Sequence, residues 1–261
     1  MIDYKIQKFP RTRIATLDVS AIGLQKHHIV AMIEIDVSEA RQKIKKYKNE
    51  IHKISFTAWL IKAISHTIKD HEQAAAYLKG KHSLFIFNDI NISMIVEKDL
   101  DGQKVPVPLI IEKANERSIE SITRQINEAK ATPLTDDDIV LQRKSNKLER
   151  SYYFLPGFVR RLFWKYLLRH PPLAYKTMGN VAFTSIGMMG KVNGWFIPMS
   201  VLPICFGVSA ITKKPVVVND RIEVREVLKM TVLLDHDVID GAPMTRFLSN
   251  LSENIEKGIG L

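Results

Sequence analysis

The stretch Leu228-Lys229-Met230-Thr231-Val232-Leu233-Leu234-Asp235-His236-Asp237-Val238-Ile239-Asp240-Gly241-Ala242-Pro243-Met244 changes character in its middle, and the reading of the whole chain starts there. Residues 228–234 are apolar and β-branched enough for a buried strand. From Pro243 the period becomes helical, with Met244, Phe247, Leu248, Leu251 and Ile255 on one face and Gly258 as the stop. His236 therefore falls on a strand-to-helix turn, held by backbone on both sides. An imidazole there, with its near-neutral pKa, can take a proton from a nucleophile. The plainer reading packs His236 under the helix and lets Asp240 cap its N-terminus, a position Asp favours.

Working outward, Ile29 to Val37 reads as a strand and Ser38 to about Lys48 as a basic helix. Phe56, Leu60, Ala63, Ile64 and Ile68 are spaced for the buried face of a helix over residues 55–68. Ile90 to Val96 reads as a strand, Asp101-Gly102 as a turn, and Lys104 to Ile111 as a strand whose prolines suit a sheet edge. Ser118 with Ser121 opens a helix running to about Ala131. Residues 132–178 differ in character: an acidic triplet at Asp136 to Asp138 is followed by a basic, aromatic helix that Pro156 opens and Pro171 closes. Two further strands are expected at Val181 to Ser185 and Val201 to Ala210. Strands and helices intermingle without a linker, repeat or low-complexity tract, which favours one α/β domain over residues 1–261, with 132–178 as an atypical connection.

Composition narrows the function classes. Hydrophobic residues make up 46% of the 261, so a sizeable core can form. Lys and Arg exceed Asp and Glu by 38 to 28, a formal charge of +10 that favours anionic partners. No zinc-finger spacing, aromatic single-strand platform or RNA-recognition signature accompanies the charge, so a nucleic-acid partner is not expected. Neither an export signal nor a membrane-spanning stretch is expected, and Cys205, the single cysteine, sits in the apolar run 201–207 as core packing. A reducing, cytoplasmic setting follows. His27 and His28 lack a carboxylate or cysteine at metal spacing, so no metal site is expected; His66 reads as a packed helical residue and Trp195, after Asn193-Gly194, as structural.

Asp235-His236-Asp237-Val238-Ile239-Asp240-Gly241-Ala242 resembles the signature Asp-His-Arg-x-x-Asp-Gly-Ala of the catalytic domains of 2-oxo acid dehydrogenase dihydrolipoamide acyltransferases, with chloramphenicol acetyltransferase as a more distant fold relative. Val181-Ala-Phe-Thr-Ser-Ile-Gly187 resembles the family's Phe-Thr-Ile-Ser-Asn-Leu-Gly, and Arg11-Thr12-Arg13-Ile14-Ala15 its Arg-x-x-Ile-Ala. Weaker matches are Ile61-Lys62-Ala63, Pro203 with Gly207, and a basic turn at Lys213-Lys214-Pro215. They run in the right order along nearly the whole chain.

The resemblance implies an α/β two-layer sandwich with a mixed sheet and flanking helices, of the chloramphenicol acetyltransferase type. It implies a coenzyme A-dependent acyltransferase that moves an acyl group between a thioester and a thiol or other acceptor, with coenzyme A or acyl-coenzyme A as substrate. His236 would be the general base. Thr184, with Ser185 one residue away as its competitor, would donate to the oxyanion. Asp240 would pair with Arg11 as a buried carboxylate at a helix start, and Gly241 would support the turn. No residue is assigned to holding the coenzyme. Related acyltransferases also imply a homotrimer with the site between subunits and small-molecule donor and acceptor. Two departures stand out: Asp237 replaces the family's Arg, and no lipoyl attachment site, swinging linker or subunit-binding module is expected in a free-standing catalytic domain. The segment 154–169 offers an acyl-channel lining or a membrane-surface contact through Phe154, Phe158, Leu162, Tyr166 and Leu167, with Arg160, Arg161, Lys165 and Arg169 for phosphates; the plainer reading is an added packing helix. The competing function is a non-catalytic oligomeric scaffold that keeps the fold, and a third reading keeps the base but uses a hydroxyl or amine acceptor.

Overall fold

The computed structural model describes residues 2–7, 13–50, 54–100, 103–132, 152–187 and 192–261. Its centre is a six-stranded mixed sheet in the order β1-β8-β7-β6-β4-β5. The strands are β1 (His28–Asp36), β4 (Ile92–Leu100), β5 (Gln103–Ile111), β6 (Val181–Ser185), β7 (Ile204–Val218) and β8 (Arg221–Asp235); β2 (Tyr77–Lys79) and β3 (Ser83–Phe85) form a separate ribbon. β6 runs parallel to both neighbours, β4 and β7, whereas β1, β7 and β8 pair antiparallel, as do β4 and β5. Pro106 and Pro108 lie on β5, which is an edge strand, where a missing N–H costs no ladder bond.

Alternation along each strand divides the sheet into two faces. Val181 and Phe183 of β6, Phe206 of β7, and Met230, Val232 and Leu234 of β8 join the main core. That core is covered by α2 (Ser38–Glu50), α3 (Phe56–Asp70), α4 (Ile119–Ala131) and the last helix, α7 (Gly241–Glu256), giving the two layers expected. Three of these helices carry an end signal from their sequence. The Ser55 and Ser118 hydroxyls accept from the Ala58 and Ser121 amides, and Gly258 stops the last helix at a φ of 64°. Phe247, Leu251 and Ile255 are fully buried, and burial of side chains of this kind stabilises by about 1.5–3 kcal/mol each.

Ala182 points away from that core into a smaller cluster, formed with α5 (Gly157–Arg169), α6 (Pro171–Met178) and α1 (Arg13–Gly23). α5 closes before Pro171, as expected, and Pro171 itself occupies the first position of α6, where its missing N–H would have had no partner. Two expectations need correction. Lys213-Lys214-Pro215 is not a turn but the middle of β7, which pairs with β8 as far as Val218 opposite Arg221. The reversal falls at Asn219-Asp220, both with positive φ, the geometry of a tight hairpin. Finally, His66 is exposed on α3 rather than packed. The acidic triplet at 136–138 and the Asp101-Gly102 turn lie outside the described residues.

Candidate active site

The turn after β8 is fastened from below and open above. Asp235, 1% exposed, receives Lys26 Nζ at 2.6 Å, and its backbone N–H donates to the Pro203 carbonyl at 2.9 Å. The Val238 and Ile239 amides donate back to the Asp235 carbonyl, both apolar side chains are buried, and Gln73 Nε2 donates to the Val238 carbonyl at 2.8 Å. His236 itself is held by its backbone, whose N–H donates to the His27 carbonyl at 2.9 Å. Its side chain is exposed, as are those of Asp237 and Asp240. The sequence thus alternates inward anchors with outward functional groups within seven residues.

Asp240 departs from expectation in two ways. It is exposed rather than buried, and although it occupies the N-cap of α7 its side chain makes no capping bond. Arg11, its expected partner, lies outside the described residues. Gly241 opens α7, and a Cβ added there would meet nothing within 4 Å. No contact within one chain therefore demands a glycine at that position.

Asp237, where the resemblance has Arg, is engaged by His27, whose Nδ1 lies 2.9 and 3.1 Å from its two carboxylate oxygens. That hydrogen bond and the carboxylate charge raise the His27 pKa above its ordinary 6.5. His28, next along, is instead lowered by burial; its Nε2 lies 3.0 Å from the Leu202 carbonyl. Lys26, His27 and Asp235 are the residues that sequence reasoning missed. The signal was faint: Lys26 and His27 precede β1 and His28 opens it, but only the pairing of His28 with Asp235 brings them to the turn.

Thr184 sits on β6 opposite Gly207 of β7, which is opposite Thr231 of β8. Strand alternation gives it the face of Ala182, away from α2, α3, α4 and α7, while Ser185 shares the face of Phe183. The surroundings are built around close backbone approaches. A Cβ on Gly207 would come within 3.0 Å of Pro198 Cδ, and one on Gly187 within 2.6 Å of the Ser209 carbonyl oxygen. A β-bulge between Val208 and Ile211 lies beside Ser185, and the buried Ser209 and Thr231 hydroxyls make no hydrogen bond among the described residues. Lys229, buried on the same face as Thr231, donates to Asn193 Oδ1 at 2.5 Å and lies over the Trp195 ring, whose Nε1 donates to the Ile33 carbonyl. Trp195 thus bridges β1 and β8 through Ile33 and Lys229.

The sheet does not bring Thr184 and His236 together within one chain. His236 lies five residues beyond Thr231, about 17 Å along the sheet, and β6 stands two strands from β8, about 10 Å across, so the two groups are about 20 Å apart. Cys205 is buried, which pushes its thiol pKa up to about 12, away from thiolate chemistry. Among the described residues no group of three or more His, Cys, Asp or Glu side chains could hold a metal ion, and no helix is long and apolar enough to cross a membrane.

Solved structures first define the fold. The chain superposes on a probable dihydrolipoamide acetyltransferase from Listeria monocytogenes with a TM-score of 0.69 at 21% identity, covering 98% of this chain and 95% of that one. It superposes on the cubic core of a pyruvate dehydrogenase multienzyme complex at 0.68 and 17%, covering 97% and 92%. Chloramphenicol acetyltransferase follows at 0.51 and 10%, covering 98% of both chains. The fold is that of the chloramphenicol acetyltransferase-like α/β proteins. The chain belongs to the family of 2-oxoacid dehydrogenases acyltransferase catalytic domains, whose model matches residues 11–138 and 175–261. Among curated proteins, the lipoamide acyltransferase component of the branched-chain alpha-keto acid dehydrogenase complex of Bacillus subtilis is 27% identical over 239 residues, 88% of this chain and 46% of its own length. The dihydrolipoyllysine-residue acetyltransferase component of the pyruvate dehydrogenase complex of Rickettsia prowazekii is 24% identical over 237 residues, 89% of this chain and 49% of its own length. The chain spans about half the length of these relatives.

Proposed function

We propose that this chain is the catalytic domain of an acyltransferase that exchanges an acyl group between coenzyme A and a second acceptor, with His236 as general base. The observation that carries the reading is the turn of residues 235–241, whose anchors are buried while the imidazole of His236 is presented outward. An incoming thiol gives its proton to His236 as its sulfur bonds to the thioester carbonyl carbon. Thr184 donates its hydroxyl hydrogen to the resulting oxyanion. Collapse restores the carbonyl, breaks the bond to the departing thiol sulfur, and returns the proton from the imidazolium to that sulfur.

The separation of Thr184 from His236 supports a homotrimer whose sites each combine the histidine of one chain with the hydroxyl of its neighbour. The open space over Gly241 and the exposed Asp240 leave the same side of the turn accessible to another chain. A relative that forms a cubic core favours assembly too. So does an apolar strip at the tip of the β7–β8 hairpin, where Val217, Ile222 and Val224 are exposed. The donor and acceptor are small molecules that enter from opposite sides, and the buried thiol of Cys205 accords with a cytoplasmic setting. Pairing of Asp237 with His27, in place of the usual Arg, favours an acceptor other than the lipoyl group of the dehydrogenase complexes.

The test is transfer from a panel of acyl-coenzyme A donors, followed by mass spectrometry, with wild type and His236→Ala compared. Transfer by the wild type and its loss in the variant support the reading. An inactive wild type across the panel supports the scaffold alternative instead.

A further inference from the structure

The family model matches residues 11–138 and 175–261, so α5 lies outside the matched part of the chain. One side of α5 is fixed to the body. Trp164 and Leu167 are buried in the smaller cluster, and Trp164 Nε1 donates to the Tyr152 hydroxyl at 2.8 Å. Tyr152 in turn donates to Asp18 of α1 at 2.6 Å, where Arg160 Nε also donates at 2.7 Å. The opposite side holds Phe158, Leu162 and Tyr166, which are 61%, 61% and 57% exposed, spaced one helical turn apart. Arg161, Lys165 and Arg169 are exposed around this stripe. From Tyr152 to Met178 the chain has no acidic residue, so the charge here has one sign.

From these features we infer that α5 lies on an anionic lipid bilayer, with Phe158, Leu162 and Tyr166 in the boundary between headgroups and acyl chains and Arg161, Lys165 and Arg169 on the phosphates. An exposed aromatic-aliphatic stripe bordered by cations is the pattern of a helix that lies in a membrane interface. At 13 residues the helix is about 20 Å long, suited to lying on a bilayer rather than spanning it. A second copy fits this face poorly, because a symmetric contact would set Arg161, Lys165 and Arg169 against their own images. The fastening through Asp18 matters as much as the stripe: the helix is presented already folded, so docking carries little ordering cost.

The experiment is co-sedimentation of the full chain with vesicles of phosphatidylglycerol and phosphatidylcholine, against vesicles of phosphatidylcholine alone. The wild type is expected to sediment with the anionic vesicles and to be released by high salt. Each cation at such a surface accounts for about a five-fold change in partitioning, so Arg161→Glu, Lys165→Glu and Arg169→Glu together should lower binding by about 100-fold or more. Phe158→Ser with Leu162→Ser, which leaves the cations in place, should also release the protein; both positions are exposed, so an unchanged thermal melt is expected. Failure of the wild type to bind anionic vesicles overturns the inference. So does wild-type binding by the serine variant, or a change in its oligomeric state in sedimentation velocity, which would show that another copy covers the stripe.

Discussion

The turn after β8 and the helix α5 are fastened by the same device and present opposite chemistry. Each rests on a largely buried aspartate joined to a cation: Asp235 to Lys26 at 2.6 Å, and Asp18 to Arg160 at 2.7 Å. Above Asp235 the outward groups are His236, Asp237 and Asp240, all polar or titratable; on the far side of α5 they are aromatic, aliphatic and basic. The first pair lies wholly within the part of the chain that the family model matches, whereas the second ties a segment outside the match to that part. A buried ion pair thus indicates where a surface is held rigid, and the residues facing away from it indicate what the surface is for.

The sharpest way to break this comparison is to remove the group that one anchor presents. His236→Ala should lower the rate of transfer by about 10² to 10⁴ while leaving the thermal melt unchanged, because its side chain lies outside the core. A folded variant with near wild-type turnover would remove His236 from the chemistry. Striking at the anchors should separate the two regions. Lys26→Met leaves the buried Asp235 carboxylate without its cation, a loss approaching about 3 kcal/mol, and should lower both stability and activity. Asp18→Asn should cost about 1.5–3 kcal/mol through its weakened bonds to Arg160 and Tyr152, yet leave the turnover of the folded protein near wild type. Equal loss of turnover in both variants would show that the regions are not independent.

Smaller effects sharpen the turn itself. Gly241→Ala should leave stability within about 1 kcal/mol of wild type, since the new Cβ meets nothing and Ala suits a helix. A fall in activity or assembly without a fall in the melting temperature would locate the demand for glycine in substrate or in a neighbouring chain. The smallest effect concerns His27. Its raised pKa means that the pair with Asp237 contributes fully below the ordinary pH of 6.5 and is lost as pH rises through the folded-state value. Asp237→Asn should therefore shift the His27 titration, followed by NMR, back toward 6.5; an unmoved midpoint would mean that the Asp235 carboxylate raises it instead, against the opposing charge of Lys26.

Much of this was readable wherever burial imposed a period. The last helix follows from Phe247, Leu251 and Ile255, and the edge position of β5 from Pro106 and Pro108. What escaped was structure whose residues do not face a core. The outer half of the β7–β8 hairpin exposes Val217, Ile222 and Val224, so its alternation has no buried side to reveal it, and the reversal is made by Asn219-Asp220 without a glycine. α1 was missed because β-branched Ile14, Thr16 and Val19 argue against a helix that packing nevertheless fixes. The candidate base was legible from a local motif; the Lys26 anchor was not, since it lies 209 residues away and arrives only through sheet register.

The central claim is that His236 and Thr184 act together from different chains, and one mixing experiment addresses it. His236→Ala and Thr184→Ala proteins, each inactive alone, are combined in equal amounts under conditions that exchange subunits, and transfer is measured after reassociation. In a shared-site trimer every mixed assembly has one intact pair, so activity should recover toward about a quarter of wild type. If every mixture remains as inactive as its components while subunit exchange is verified by mass, the site lies within a single chain and the account is wrong.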